Sequence, residues 1–195
     1  MALTSSASSS VKVVILTMDT HLNSAAIKAR NALVRQVPNL SFAIHSASEY
    51  SADAQKLARC QGDIASADII ITVTGAQGVI TAADLPKLRS GVILANAGHF
   101  PEEIDVAGML ASPEVASQEE YADDLLTLRL KSGNAVHLVA RGHMFNLAGP
   151  RPIGNSIEAM DLGFALQARC LEAVARGTVT ATSCVVPVPA SIDAA

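Results

Sequence analysis

Aliphatic, β-branched runs alternate along this chain with amphipathic stretches. Val11–Thr17 (VKVVILT) has the length and composition of a strand. From about His21 to Gln36 the period changes: Leu22, Ala25, Ala26, Ala29, Leu33 and Val37 recur every three or four residues, which predicts a helix with one apolar face. Pro38-Asn39 ends that helix, Leu40–His45 predicts a second strand, and Ser51–Ala67 a second helix with Ala54, Leu57, Ala58 and Ile64 inward. Asp68–Thr74 (DIIITVT) is apolar throughout, as a strand covered on both faces must be. Gly75 and Gly78 then turn the chain, Ala82–Leu88 predicts a short helix and Gly91–Ala95 a fourth strand. Beyond an acidic stretch expected to be helical, Leu125–Leu130 and Ala135–Ala140 flank Lys131-Ser132-Gly133-Asn134, a turn of hairpin length. Ser156–Arg176 predicts a long closing helix, with Ile157, Met160, Phe164, Leu166 and Leu171 as its apolar stripe and Gly177 at its C-cap. Val179–Val188 is β-prone but meets Pro187, so it reads as an edge strand or a tail.

Strands alternating with helices at this spacing predict an α/β fold. The expected form is a three-layer αβα, Rossmann-like or flavodoxin-like domain with a mostly parallel sheet and an antiparallel hairpin at one edge. The expected organisation is a disordered Ser/Ala-rich leader over residues 1–10, one domain over 11–178, and an edge strand or tail over 179–195. With 195 residues, 50% of them hydrophobic, one domain has ample material for a core. Only 16% of residues are charged and the net charge is −4, so no basic surplus exists to follow a nucleic acid or an anionic membrane. The longest apolar runs are strand-sized, which gives no membrane span. The acids spread over Glu102–Asp124 read as a solvated face. Cys60, Cys170 and Cys184 are far apart with no CxxC, so neither a disulfide framework nor a metal site is expected, and a reducing cytoplasm suits them.

In such a sheet ligands bind beyond the carboxyl ends of the strands, which directs attention to Met18–Asn23, Ser46–Tyr50, Thr74–Val79 and Asn96–Glu102. The first of these loops is where a dinucleotide fold needs glycines, because only glycine lets backbone N–H groups close on a pyrophosphate. Here it reads Met18-Asp19-Thr20-His21-Leu22-Asn23, with no glycine. Asp19 or Thr20 is expected to cap the following helix, and His21 to be exposed at its start. Glu49 stands late for a ribose-binding acid and reads as a surface residue. The stronger signals are Thr72-Val73-Thr74-Gly75 and Asn96-Ala97-Gly98-His99-Phe100. Gly98 can let the backbone approach a ring, and His99 can hydrogen-bond a ribose hydroxyl.

Residues 68–176 (DIIITVTGAQGVI, VILANAGHFPEEIDV, LRLKSGNAVHLVARGHMFNLAG, GNSIEAMDLGF) resemble the later part of the NAD domain of S-adenosylhomocysteine hydrolase. The resemblance implies NAD as cofactor, lined by Thr74, Gly75, Ala97, Gly98 and His99, with His99 also touching the substrate sugar. Gly142-His143-Met144-Phe145-Asn146-Leu147 is similar to the family's Gly-Arg-Leu-x-Asn-Leu, which implies that Asn146 bonds the nicotinamide carboxamide. Asn155 follows Gly154 where the family carries a nucleoside-binding His, so it is a candidate substrate contact or a helix N-cap. No catalytic residue is implied: the family's base, its Lys/Asp pair and its Gly-rich loop belong to regions upstream of the matched one.

Residues 11–71 (VKVVILTMDTHLNSAAIKARNAL, IHSASEY, LARCQGDIASADIII) resemble the first segment of the magnesium chelatase large subunit, so a chimera of residues 11–67 with 68–178 is one expectation. Three functional readings follow. One is a domain with a partial NAD or adenosine pocket and no complete enzyme activity. The second is an NAD-dependent, adenosylhomocysteinase-like hydrolase that borrows groups from a partner, whether a neighbour in a homo-oligomer or a complementary subunit. The third is a binding module of tetrapyrrole biosynthesis.

Overall fold

The computed structural model describes residues 10–18, 20–21, 23–50, 53–121, 124–147, 154–178, 187–188 and 190–193. The chain divides into two compact units, residues 1–152 and 153–195. The first holds a seven-stranded sheet built from β1 (Val11–Thr17), β2 (Leu40–Ser46), β3 (Ile69–Val73), β4 (Val92–Asn96), β5 (Val115–Tyr121), β6 (Leu125–Leu130) and β7 (Ala135–Val139). The spatial order is β2-β1-β3-β4-β7-β6-β5. The first five strands in that order run parallel, and β6 and β5 continue the sheet antiparallel. The strand order reverses between β1 and β3, so the crevice of this Rossmann-like α/β fold opens above their carboxyl ends.

Period-two alternation sorts the sheet residues. Val14, Leu16, Ile70, Leu94, Leu128 and Leu138 point to one face, where they form the core with Cys60 and Ile64 of α2 (Ala54–Ala65), Leu85 of a 3-10 turn at Ala82–Lys87, and Met109 of α3 (Val106–Ala111). Ile15, Ile71 and Val73 point the other way, toward Ala25 and Ala26 of α1 (Asn23–Gln36), across a cavity of about 210 Å³. α1 and α2 therefore lie on opposite faces, as right-handed crossovers require.

α1 presents only the alanines of its predicted stripe to the sheet, and α2 is rotated away from most of its predicted face. In α1 no residue is buried, and Leu33 and Val37 remain 43% and 45% exposed, because the helix meets the sheet through small alanines. In α2 Cys60 is buried and Ile64 packs against the core as expected, whereas Ala54, Leu57 and Ala58 face solvent. A polar network sets that rotation. Asp63 accepts from Lys12 Nζ at 2.7 Å and bonds His45 Nε2 at 2.9 Å, tying α2 to β1 and β2. Cys60, Asp63, Ile64 and Ala67 thus form the inward stripe, which a count of aliphatic residues does not see. Asp53 caps the helix by accepting from the N–H groups of Gln55 and Lys56.

The acidic stretch expected to be helical is instead the short helix α3 followed by the edge strand β5. Val115–Tyr121 carries no apolar alternation because almost all of it faces solvent, so pairing with β6 is what makes it a strand. The hairpin between β6 and β7 closes as expected: Gly133 takes φ +89° and its N–H reaches Leu130 O at 2.9 Å. The β-prone residues 179–186 lie outside the described residues.

In the second unit, α4 (Ile157–Ala175) is capped by Ser156, whose Oγ accepts from Ala159 N at 3.2 Å, so Asn155 is not the cap. Gly177, at φ +68°, ends it in a Schellman arrangement: Thr178 N donates to Ala173 O and Gly177 N to Val174 O. Its stripe residues Ile157, Phe164 and Leu171 remain exposed. A single turn, α5 (Ala190–Asp193), follows. No helix among the described residues is long and apolar enough to cross a membrane.

Two outcomes follow from this packing. Leu128→Ala empties a site with 0% exposure at the centre of the core and should cost about 2–5 kcal/mol in denaturant unfolding, while Leu162→Ala, at a 73% exposed position, should change stability by no more than about 0.5 kcal/mol. Burial pushes the Asp63 carboxyl up, but the hydrogen bonds and charges of Lys12 and His45 outweigh it and hold the group below its ordinary value. A depressed carboxyl contributes stability above its unfolded value and loses it as pH falls through the folded value. Thermal unfolding from about pH 5 down to pH 2 should therefore show a steeper loss in the native chain than in Asp63→Asn.

Candidate functional site

The carboxyl ends of β3, β4 and β7 bring together three of the sequence signals. β3 delivers Thr74, which is buried, and Gly75, which is exposed and takes φ +69° in the turn that follows. β4 delivers Asn96, Ala97, Gly98 and His99. Ala97 N donates to Thr72 O at 2.9 Å, which holds the β4 exit flush with β3. Gly98 is buried, while His99 projects into solvent and meets Phe100 edge-on at 4.9 Å.

The third signal reaches the same place through a strained turn. After β7, Ala140, Arg141 and Gly142 all take the left-handed conformation, with φ of 49°, 50° and 81°. Two side-chain-bearing residues in that region cost about 1–2 kcal/mol each, and the surroundings hold them: Ala140 N donates to Asp124 O at 2.9 Å and Arg141 Nη2 to Glu120 Oε1 at 2.6 Å. The turn swings Met144 and Phe145 across β4, where Phe145 N donates to Asn96 O at 2.9 Å. Asn146 arrives beside that exit, and its Oδ1 is buried without a hydrogen-bond partner among the described residues. An orphaned acceptor at a strand-end crevice is a place for a ligand N–H.

Two residues that organise this region are not legible as such in the sequence. Asn96, with 0% exposure, accepts from Gly98 N at 2.7 Å and Thr72 Oγ1 at 3.3 Å, and donates to Phe100 O at 2.8 Å and Gly142 O at 2.9 Å. Glu103, expected among solvated acids, also has 0% exposure. Its carboxylate accepts from Thr74 N and Thr74 Oγ1, both at 2.9 Å, and from Gly75 N at 2.7 Å. The hint in the sequence is slight: Glu103 directly precedes Ile104, which is 1% exposed.

On the other side of the strand reversal, a cavity of about 200 Å³ opens above β1, β2 and β3, lined by Thr17, Met18, His45, Tyr50, Cys60 and Thr74 among others. Burial, followed by the adjacent Cys60 thiol, pushes the Tyr50 phenol up, and its hydroxyl is buried with no hydrogen bond of ordinary geometry. Burial likewise raises the Cys60 thiol. Glu49 is an exposed acid paired with Lys56 at 3.3 Å, consistent with a surface role. In the loop after β1, Thr20 and His21 are exposed, and Asp19 lies outside the described residues. Asn155 belongs to the second unit, where its amide reaches Met160 Sδ at 3.5 Å.

Comparison with known proteins gives a consistent picture. Residues 43–151 match the family described as S-adenosyl-L-homocysteine hydrolase, NAD binding domain. An adenosylhomocysteinase of Thermoplasma acidophilum is 36% identical over 148 residues, covering 75% of this chain and 35% of that protein. An S-inosyl-L-homocysteine hydrolase of Methanopyrus kandleri is 39% identical over 127 residues, covering 65% of this chain and 29% of that protein. An adenosylhomocysteinase of Thermotoga maritima is 39% identical over 102 residues, covering 52% and 24% respectively. The chain thus spans about a third of the length of the curated relatives it matches. The family match starts inside β2 and runs through residues 67–68, so α2 and the expected join both fall within it.

The packing around Gly98 yields a further expectation. A Cβ at this position would run into the buried Glu103 carboxylate and approach Asn96 Oδ1 at 3.1 Å. Gly98→Ala should therefore lower stability by about 1–3 kcal/mol in denaturant unfolding, the usual cost of overpacking.

Proposed function

Because the chain belongs to the family of the S-adenosyl-L-homocysteine hydrolase NAD-binding domain, we propose that it binds NAD or adenosine at the carboxyl ends of its parallel strands and does not carry complete hydrolase chemistry. The observation that supports this most directly is the orphaned Oδ1 of Asn146. A carboxamide NH₂ of a nicotinamide ring is a donor of the right kind for it, and the exposed Gly75 turn offers the ring a close backbone surface. At the other end, the cavity beside Tyr50 is mostly apolar and large enough for a purine base, and the buried Tyr50 hydroxyl beside the Cys60 thiol can donate to a ring nitrogen. His99, exposed at the β4 exit, is free to approach a ribose hydroxyl.

NAD, when bound, supplies a hydride acceptor for a sugar hydroxyl. Asn146 and the Tyr50 cavity would hold the two ring ends. Between those ends the fit is poorer, because the connection after β1 has no glycine with which to approach a pyrophosphate. That gap supports binding without full catalysis. It also supports weaker binding of the whole dinucleotide than of its neutral parts. The second reading is an enzyme completed by a partner subunit. For a chelatase-like half or a tetrapyrrole role no observation adds support, and one lineage accounts for residues 43–151 without a join.

Calorimetric titration with NAD and with adenosine tests the proposal. Asn146→Ala should weaken NAD about tenfold, roughly 1.4 kcal/mol, and leave adenosine unaffected if that ligand takes the Tyr50 cavity. His99→Ala should weaken whichever ligand presents a ribose to the β4 exit. Silence in both titrations from a cooperatively folded chain would sink the binding reading, and homocysteine release from S-adenosylhomocysteine by the purified chain would sink the claim of incomplete chemistry.

A further inference from the structure

The segment leaving β3, from Thr74 to Ile80, forms one wall of the crevice, and a single residue outside it pins both of its ends. The Glu103 carboxylate holds the start: one oxygen takes Thr74 N and Thr74 Oγ1, and the other takes Gly75 N. The Glu103 carbonyl holds the finish, accepting from Val79 N at 2.9 Å and Ile80 N at 3.1 Å. Its neighbours extend the same seam: Glu102 O takes Gly78 N at 2.8 Å, and Asp105 N donates to Ile80 O at 2.9 Å. A carboxylate removed from water is tolerated only where donors replace its hydration, and here both oxygens are satisfied by donors from the segment that it pins. Gly98 lies directly against this carboxylate, because a side chain there would occupy the same space.

We infer that Glu103 is the positioning residue of the crevice, locking the Thr74–Gly75 turn to the Asn96–His99 loop so that the two walls facing a ligand keep one relative geometry. The inference rests on the reading of this crevice as a nucleotide site and goes beyond it, since Glu103 touches no ligand and acts through Thr74, Gly75 and Gly98. It carries a consequence for specificity. The backbone donors of Thr74 and Gly75 are spent on an internal carboxylate, so this wall offers no N–H pair to a phosphate and presents a negative group behind it. A neutral ring is accepted there and an anionic one is not.

The test uses the full chain with Glu103→Gln, which keeps the shape and removes the charge, and Glu103→Ala, which leaves three donors unsatisfied. Amide exchange by NMR reports on the lock without any ligand. In Glu103→Gln, protection at Thr74 and Gly75 should fall about tenfold and the loss should extend to Gly98, while Ile70 and Leu94 in the core strands keep their protection. Unchanged exchange at Thr74 and Gly75, or a loss confined to those two residues, overturns the inference. Titration supplies the second arm: affinity for NAD or adenosine should drop about tenfold in Glu103→Gln but stay within about twofold in Leu128→Ala, a core variant of lowered stability distant from the crevice. Equal weakening in both variants would reduce Glu103 to a contributor to general stability and overturn its positioning role. If the native chain binds neither ligand, the nucleotide reading fails and the exchange measurements alone decide the lock. Should Glu103→Ala not fold, the isosteric variant carries both arms.

Discussion

Complete satisfaction of two buried polar side chains is the condition on which the rest of the crevice depends. The Asn96 amide uses its full hydrogen-bonding capacity, two acceptances and two donations, on four chain segments that would otherwise have no reason to meet: the end of β3, the β4 exit, Phe100 and the turn after β7. The Glu103 carboxylate accepts three hydrogen bonds, at least one on each oxygen, from the segment that leaves β3. Inside a protein an unpaired polar group is expensive, so networks of this kind hold either completely or hardly at all. That is why a left-handed Ala140–Arg141 pair can persist beside them: Asn96 takes the Gly142 carbonyl, and neighbouring strands hold the rest of the turn.

The crevice is therefore uneven. On the side of β3, β4 and β7 it is dense with internal hydrogen bonds and, among the described residues, leaves Asn146 Oδ1 without a partner. On the side of β1 and β2 it is roomier and more apolar, anchored by the Lys12–Asp63–His45 network and carrying the buried Tyr50 hydroxyl. What joins the two sides in a dinucleotide fold is a glycine turn after the first strand, and here that turn has side chains throughout. The chain matches the NAD-binding domain family over residues 43–151 and spans about a third of the length of its curated relatives.

Much of the fold was legible in the residues. The apolar run of β3, the β-branched β1, the glycine at position 133 and the glycine C-cap at position 177 each act through local backbone physics, so reading them needs no knowledge of neighbours. The clusters at Thr74-Gly75, Ala97-Gly98-His99 and Asn146 were also visible, and parallel strand order gathers them at one end of the sheet. The features that escaped share one property. β5 has no apolar alternation, α2 is turned by an aspartate, and Glu103 looks like one more surface acid until its donors, 28 and 29 residues away, are in place.

By itself, then, the sequence determined the alternation of strands and helices, the glycine-dependent turns and the absence of glycine after β1, because these follow from propensities and sterics within a few residues. Only the tertiary structure decided which helix faces are inward, which acid is buried and which polar atom has no partner among the described residues. Those outcomes depend on hydrogen bonds between groups far apart in the chain, where the cost of an unsatisfied buried dipole, and not the hydropathy of any one residue, selects the arrangement.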